Sequence, residues 1–348
     1  MWLSGLSMRE MRKTKPPLSR RLCLAVLMAA LPSFSSASDM TEPSKAVCVG
    51  KVQLSFPDSA NLSWSQSFDH SHVERVRGAG TRERFWEVVD AREQELRALT
   101  HSTESGRLSR SERIGEDAVV LLYREHEASK RAHRMQRYFW LERHGYMFRS
   151  VGALRPQFTQ DLQPFTEIFS RIQVQPQPAS PTMAGFCIDG AIVRGNVDKI
   201  TVGVSVDIRN WNHVRLWAGA VEDPFGKSEA PSADRELTRK QEAMNIVRRQ
   251  EPEALSDPEY PRELEVLRNG ARVAGELSGT EVVWRERLNN GATLYGFRWR
   301  ARVPGSEHDV TIGMDAGDKY QPDEQPPAET ALTTLWDATL ESVRSAQR

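Results

Sequence analysis

Residues 199–208 read Lys-Ile-Thr-Val-Gly-Val-Ser-Val-Asp-Ile, with Ile200, Val202, Val204, Val206 and Ile208 strictly alternating with smaller or polar residues. A period of two is the mark of a strand with one buried and one solvated face. A slip of one residue would turn every one of these side chains to water, so the register of such a strand is tightly specified. Half-buried strands belong to antiparallel sheets, whereas strands of parallel sheets are covered on both faces and read as unbroken apolar runs.

The segments around it repeat the theme. In the first half, Ala46-Val-Cys-Val-Gly-Lys-Val-Gln-Leu-Ser-Phe-Pro57 reads as a strand ended by proline. Residues 83–99 predict a helix with Phe85, Val88, Val89, Leu96 and Leu99 on one face. Residues 116–125 are rich in β-formers, and 136–143 and 146–152 predict a hairpin turning at His144-Gly145. Residues 161–172 predict a short helix with Leu162, Phe165, Ile168, Phe169 and Ile172 in register.

The proline-rich, uncharged 173–184 reads as a linker, and the pattern then restarts. Residues 186–195 give a strand with a glycine turn, 234–249 a helix with Leu237, Met244 and Val247 inward, and 265–287 a hairpin turning at Asn269-Gly270. Strands follow at 294–303 and 309–315. The closing helix, 329–344, carries Leu332, Leu335, Trp336, Leu340 and Val343 on one side. The expected class is α+β, with two domains at 39–172 and 185–348, each a mainly antiparallel sheet with packed helices. The similar order of elements in the two halves suggests distant structural repeats.

The N-terminus has a different character. A basic stretch (Arg9, Arg12, Lys13, Lys15, Arg20, Arg21) precedes about ten apolar residues from Leu22 and then Ser-Phe-Ser-Ser-Ala-Ser at 33–38. That order describes a secretory signal peptide over 1–38, and the apolar run is too short to span a bilayer. The chain has 47 basic and 47 acidic side chains; beyond the signal 41 and 46 remain, a net charge of −5. A mildly acidic mixture gives no footprint for nucleic acid and no polybasic patch for anionic lipid. Cleavage also leaves two cysteines, Cys48 and Cys187, each on the opening strand of its half. In an oxidising compartment they form a candidate disulfide; the alternative is two small buried residues that never meet.

The search for chemistry finds little. There is no nucleophile elbow and no phosphate-binding glycine loop. His70 and His72 flank Ser71 without a metal-protease pattern and read as a surface loop, and the acid-rich 315–325 resembles a calcium loop in composition but not in spacing. Tyr295, Phe297 and Trp299 read as core, and Arg298, Arg300 and Arg302 alternate with them as a solvated face or as a docking surface for an acidic partner. No catalytic, cofactor-binding or metal residue is assigned.

Several motifs then occur in a familiar order. Cys48-Val49-Gly50 runs to Phe56-Pro57; Gly185-Phe186-Cys187-Ile188-Asp189-Gly190 opens the second half; Arg268, Gly270, Gly275, Gly279 and Glu281 follow; then come Phe297 and Trp299, and finally Leu335, Trp336, Ser342 and Arg344. In these the chain resembles the type VI secretion lipase-immunity family cognate to the fourth class of phospholipase effectors, which has N-terminal and C-terminal immunity domains. It departs in having Ala191 after Gly190, where the family often has a second glycine. The resemblance implies a periplasmic, non-enzymatic inhibitor without cofactor or stable membrane anchor, whose partner is the cognate lipase effector and whose contact residues the sequence does not identify. The other readings are an exported metal-dependent hydrolase using His70 and His72, and an orphan periplasmic binding protein.

Overall fold

The computed structural model describes residues 44–68, 71–102, 105–128, 132–150, 170–174, 185–195, 200–208, 211, 213–222, 232–306 and 308–345. The signal segment, most of the helix expected at 161–172 and most of the expected linker lie outside them. In chain order the first half holds β1 (Ser44–Val49), β2 (Val52–Pro57), β3 (Asn61–Phe68), β4 (Ser71–Arg75), α1 (Arg82–Ala98), β5 (Leu108–Ile114), β6 (Ala118–Arg124), β7 (His133–Leu141) and β8 (His144–Ser150). After β9 (Ile172–Val174) come β10 (Phe186–Ile188), β11 (Ala191–Val193), β12 (Ile200–Asp207), β13 (Val214–Glu222) and α2 (Arg235–Gln250). A 3-10 turn, Pro252–Ser256, leads into β14 (Pro261–Ala274), β15 (Leu277–Leu288), β16 (Thr293–Arg302), β17 (His308–Ala316), α3 (Glu329–Glu341) and β18 (Arg344–Ser345).

Twelve of these strands form one sheet, ordered β14-β15-β16-β17-β13-β12-β3-β4-β8-β7-β6-β5. All of its pairings are antiparallel, as the alternation at 200–208 demands. That strand is β12, and it sits at the centre: one edge pairs with β13 and the other with β3, from Ile200↔Phe68 to Asp207↔Asn61. Outward from this seam each half contributes its strands in the same order: third, fourth, eighth, seventh, sixth, fifth. The structural repeat suggested by the sequence is therefore present in the topology.

The halves are also interlaced. The hairpin β1–β2 is completed by β18 from the end of the chain, and the hairpin β10–β11 by β9 from the end of the first half. The positions correspond: Arg344 pairs with Gln53 in one small sheet, and Gln173 pairs with Ile192 in the other. Each half thus lends its last strand to its neighbour.

Burial follows three layers. One face of the large sheet, including Val202, Val204, Val206, Leu216, Phe297, Trp299 and Ile312, joins Val47, Leu54, Phe56, Phe186 and Ile188 of the small sheets and Leu332, Trp336 and Leu340 of α3 in a single core. The other face is covered by α1 on one half and α2 on the other. Each fully buried large apolar side chain contributes on the order of 1.5–3 kcal/mol, so the shared core binds the halves strongly.

Four turn and helix expectations are corrected. Residues 46–57 are two strands, not one, turning at Gly50-Lys51, where Gly50 has φ +62. The β7–β8 turn lies at Glu142-Arg143, not at His144-Gly145. Gly145 serves packing instead, because a Cβ there would come within 2.3 Å of the Phe85 ring. Asn269 and Gly270 lie inside β14 opposite Val282 and Glu281, and the turn is at Gly275-Glu276. On α1, Val88 is exposed rather than buried.

Candidate functional site

Cys48 and Cys187 occupy equivalent positions on the first strands of the two halves, and the structure joins them in a disulfide with a Cα–Cα separation of 5.6 Å. Both are buried, against Ile192. Beside the bond, the Gly50 N–H donates to the Cys187 carbonyl (3.0 Å) and the Cys187 N–H to the Gly50 carbonyl (2.7 Å). Only glycine fits at position 50: a Cβ would lie 2.2 Å from that of Ala220. The Cys-Val-Gly and Phe-Cys-Ile-Asp-Gly motifs therefore build one structure, a covalent knot where the two hairpins meet.

The motif residues of 268–344 build a second one, the seat of α3. Trp336, fully buried, donates its Nε1–H to Glu281 Oε1 at 2.6 Å. Asp337 accepts from Arg268 (2.8 Å) and Arg272 (3.1 Å) on β14. Although burial pushes the Asp337 carboxyl up, the hydrogen bond and charge of Arg268, with Arg272, hold it below the usual carboxylate range. Trp299 Nε1–H donates to the Arg272 carbonyl at 3.1 Å. Gly275 has φ +57, and a Cβ there would fall 1.8 Å from the Val343 carbonyl at the end of α3. The Ser342 hydroxyl accepts from the backbone N–H of Ser55 on β2 at 3.0 Å, tying the chain end to the first half. These residues hold the fold together.

The arginines of β16 form neither a solvated face nor a free docking surface. Arg298 is 8% exposed. Its Nε donates to Glu236 on α2 (2.7 Å) and its Nη2 to Asp315 (2.8 Å), while the guanidinium lies over Trp217 and Trp284. Arg300 and Arg302 both bind Asp309, a buried carboxylate, at 2.7 and 3.0 Å. Sequence reading missed these acids because Asp309 and Asp315 sit inside a strand pattern and Glu236 on a helix about sixty residues away.

His72 lies on β4, exposed, rather than in a loop; His70 is outside the described residues. Three acids of the run at 315–325 are committed internally, Asp315 to Arg298, Asp318 to the Tyr320 N–H and Glu324 to His213 at 2.7 Å. Among the described residues no three His, Cys, Asp or Glu side chains are grouped to hold a metal. The described residues line open clefts of about 530 Å³ beside Trp211 and His213 and about 580 Å³ beside Trp64 and Asp189. Among the described residues no helix is long and apolar enough to cross a membrane.

The fold is that of immunity proteins of the type VI secretion system. The apo immunity protein TplEi from Pseudomonas aeruginosa superposes with a TM-score of 0.65 at 19% identity, over 87% of this chain and 97% of that one. The solved Tle4–Tli4 complex gives the same values, and TplEi with an "L" peptide gives 0.62 at 19% identity over 88% and 99%. Residues 179–347 match the profile of the Tle cognate immunity protein 4 C-terminal domain, and over this segment the chain is similar to that family. No curated protein matches the chain.

Proposed function

We propose that this protein is the immunity partner of a type VI phospholipase effector: it binds the lipase in the periplasm and keeps lipid from its active site by occlusion. The observation that carries this reading is the family match over 179–347, extended by a fold shared over 87% of the chain with proteins solved alone, with a peptide and in complex with Tle4. On this reading residues 39–172 and 185–348 are the N-terminal and C-terminal immunity domains, 173–184 their linker, and 1–38 the export signal removed on entry to the periplasm. The disulfide is in keeping with an oxidising compartment. An inhibitor of this kind needs a rigid surface and no chemistry of its own. Complexes of this sort typically bury on the order of 800 Å² per partner or more.

The test is co-purification with a candidate lipase effector from the same genome, followed by a phospholipase assay with and without this protein. Stoichiometric capture and loss of lipase activity are expected. A lipase that remains fully active with saturating protein present would overturn the proposal.

A further inference from the structure

The helices α1 and α2 are equivalent in the repeat, and this makes one a control for the other. On α1 the arginines are largely neutralised: Arg84 by Glu87, Arg92 by Glu95 and Arg97 by Glu93, while Asp90 takes Arg113 from β5. On α2 the basic residues whose side chains reach the sheet are also used, since Lys240 pairs with Glu286. The outward face differs. At 100° per residue, Arg235, Arg239, Glu242, Ile246 and Arg249 fall on one stripe opposite the buried Leu237 and Met244. Arg235, Arg239 and Arg249 are exposed, and none of the three has an ion-pair partner among the described residues. Glu242 is the single acid on the stripe, and Ile246 is 51% exposed. The stripe is about 21 Å long.

We infer that the outer face of α2 is an interaction surface for an acidic protein face, and that on the immunity reading above this face belongs to the lipase effector. Three features select that occupant. The unpaired cations are all arginines, whose planar forks suit bidentate binding of carboxylates and which are enriched at protein interfaces. An exposed isoleucine lies among them, where an interface would place an apolar anchor. An anionic membrane surface fits less well: a helix lying in lipid needs a free apolar face, and the apolar side of α2 is spent on Val282 and Trp284. In a chain of net charge −5 beyond residue 38, a cationic stripe left unneutralised also steers an acidic partner to one place.

The test uses the full chain carrying Arg235→Glu, Arg239→Glu and Arg249→Glu together, with unchanged circular dichroism and melting as the check on folding. Binding to the purified candidate lipase effector is followed by surface kinetics at low and physiological salt. At least a tenfold loss of affinity is expected, mostly in the association rate, with a shallower salt dependence. A control with Arg84→Glu and Arg97→Glu on α1 is expected to bind as the wild type does. Unaltered affinity and salt dependence in the α2 variant would sink the inference. So would unchanged lipase binding together with loss of binding to phosphatidylglycerol vesicles, which would assign the stripe to membrane. If the wild-type chain itself failed to bind the lipase, the immunity reading would fall first. Should the triple variant melt early, Arg239→Gln and Arg249→Gln, which remove charge without reversing it, carry the same comparison.

Discussion

The two halves present the same strands in the same order, yet they seat their outer helices differently. On the first half α1 lies on an apolar bed: Phe85, Val89 and Leu96 pack on Val119, Leu121, Tyr138 and Met147. On the second half α2 buries only Leu237 and Met244 along its length, and its bed is a guanidinium between two indoles, with Arg298 held by Glu236 and Asp315. A repeat keeps a topology while the means of holding it drift. An apolar seat sets no charge pattern on the helix that covers it, whereas the seat of α2 fixes its register through two ion pairs, Glu236 with Arg298 and Lys240 with Glu286. It leaves the helix with a short apolar stripe and an outer face free to diverge.

The largest expected effect concerns what makes the halves one body. The disulfide closes a loop of 139 residues, which in the chain-entropy account is worth about 5 kcal/mol, with real bridges commonly delivering 2–5 kcal/mol. Cys48→Ser with Cys187→Ser is therefore expected to lower the urea midpoint sharply while leaving a single transition. The single transition is expected because the β12–β3 seam and the exchanged strands β9 and β18 still couple the halves. Two separate transitions in the variant, read by tryptophan fluorescence and circular dichroism, would show that only the covalent bond unites them.

The next test breaks the contrast between the seats. Phe85→Ala on the apolar side is expected to cost about 4 kcal/mol, and Arg298→Ala about 3 kcal/mol through the space left between Trp217 and Trp284. Arg298→Met keeps most of that volume without the charge. If packing dominates the seat of α2, Met restores more than half of the loss in a denaturant titration; if charge dominates, Met and Ala are alike.

What the sequence made legible was the pattern of period two and of helical faces. Every strand expected after residue 185 is present, and Leu332, Leu335, Trp336, Leu340 and Val343 are buried as α3 requires. The glycines misled, for a physical reason. The sequence around Gly145 reads as a turn, yet the residue is small because Phe85 presses on it. Gly275, the residue that does turn, gives a weaker signal than the neighbouring Asn-Gly. The strand exchange was not readable at all, since β9 and β18 are only three and two residues long. Their partners are chosen by tertiary position. The pairing of Cys48 with Cys187 was foreseeable as a candidate but not as a fact, because sequence does not place two hairpins face to face. The α2 stripe could have been found by asking where the arginines fall on the helix as well as where the leucines do.

A pH test addresses the junction of the halves. His308 of β17 is buried against Phe186, its Nδ1 near the Ser306 hydroxyl, which also receives Lys51 from the β1–β2 turn. Burial, and then the Lys51 charge, push its pKa down to about 4. The folded protein thus keeps this imidazole neutral where the unfolded chain protonates it. Its contribution is whole above the ordinary histidine pKa of about 6.5 and is lost as pH falls from there toward 4, by up to ~3 kcal/mol. Urea titrations between pH 7 and 4.5 should show that slope, and His308→Asn should flatten it; an unchanged slope would place the acid sensitivity elsewhere.

The smallest effect tests whether the two outer helices are also started differently. Thr81 caps α1, its hydroxyl accepting from the Arg84 N–H at 3.3 Å with Glu83 in the first turn. α2 begins after Asp234, whose side chain makes no cap hydrogen bond and instead takes the Ser232 hydroxyl. Thr81→Ala is therefore expected to cost about 1 kcal/mol, and Asp234→Ala only a few tenths, since it loses a favourable charge near the helix start but no bond to the helix. Equal costs in thermal melts would mean that α2 is nucleated at its end much as α1 is. In that case the difference between the halves would lie only in the seat and not in the helix itself.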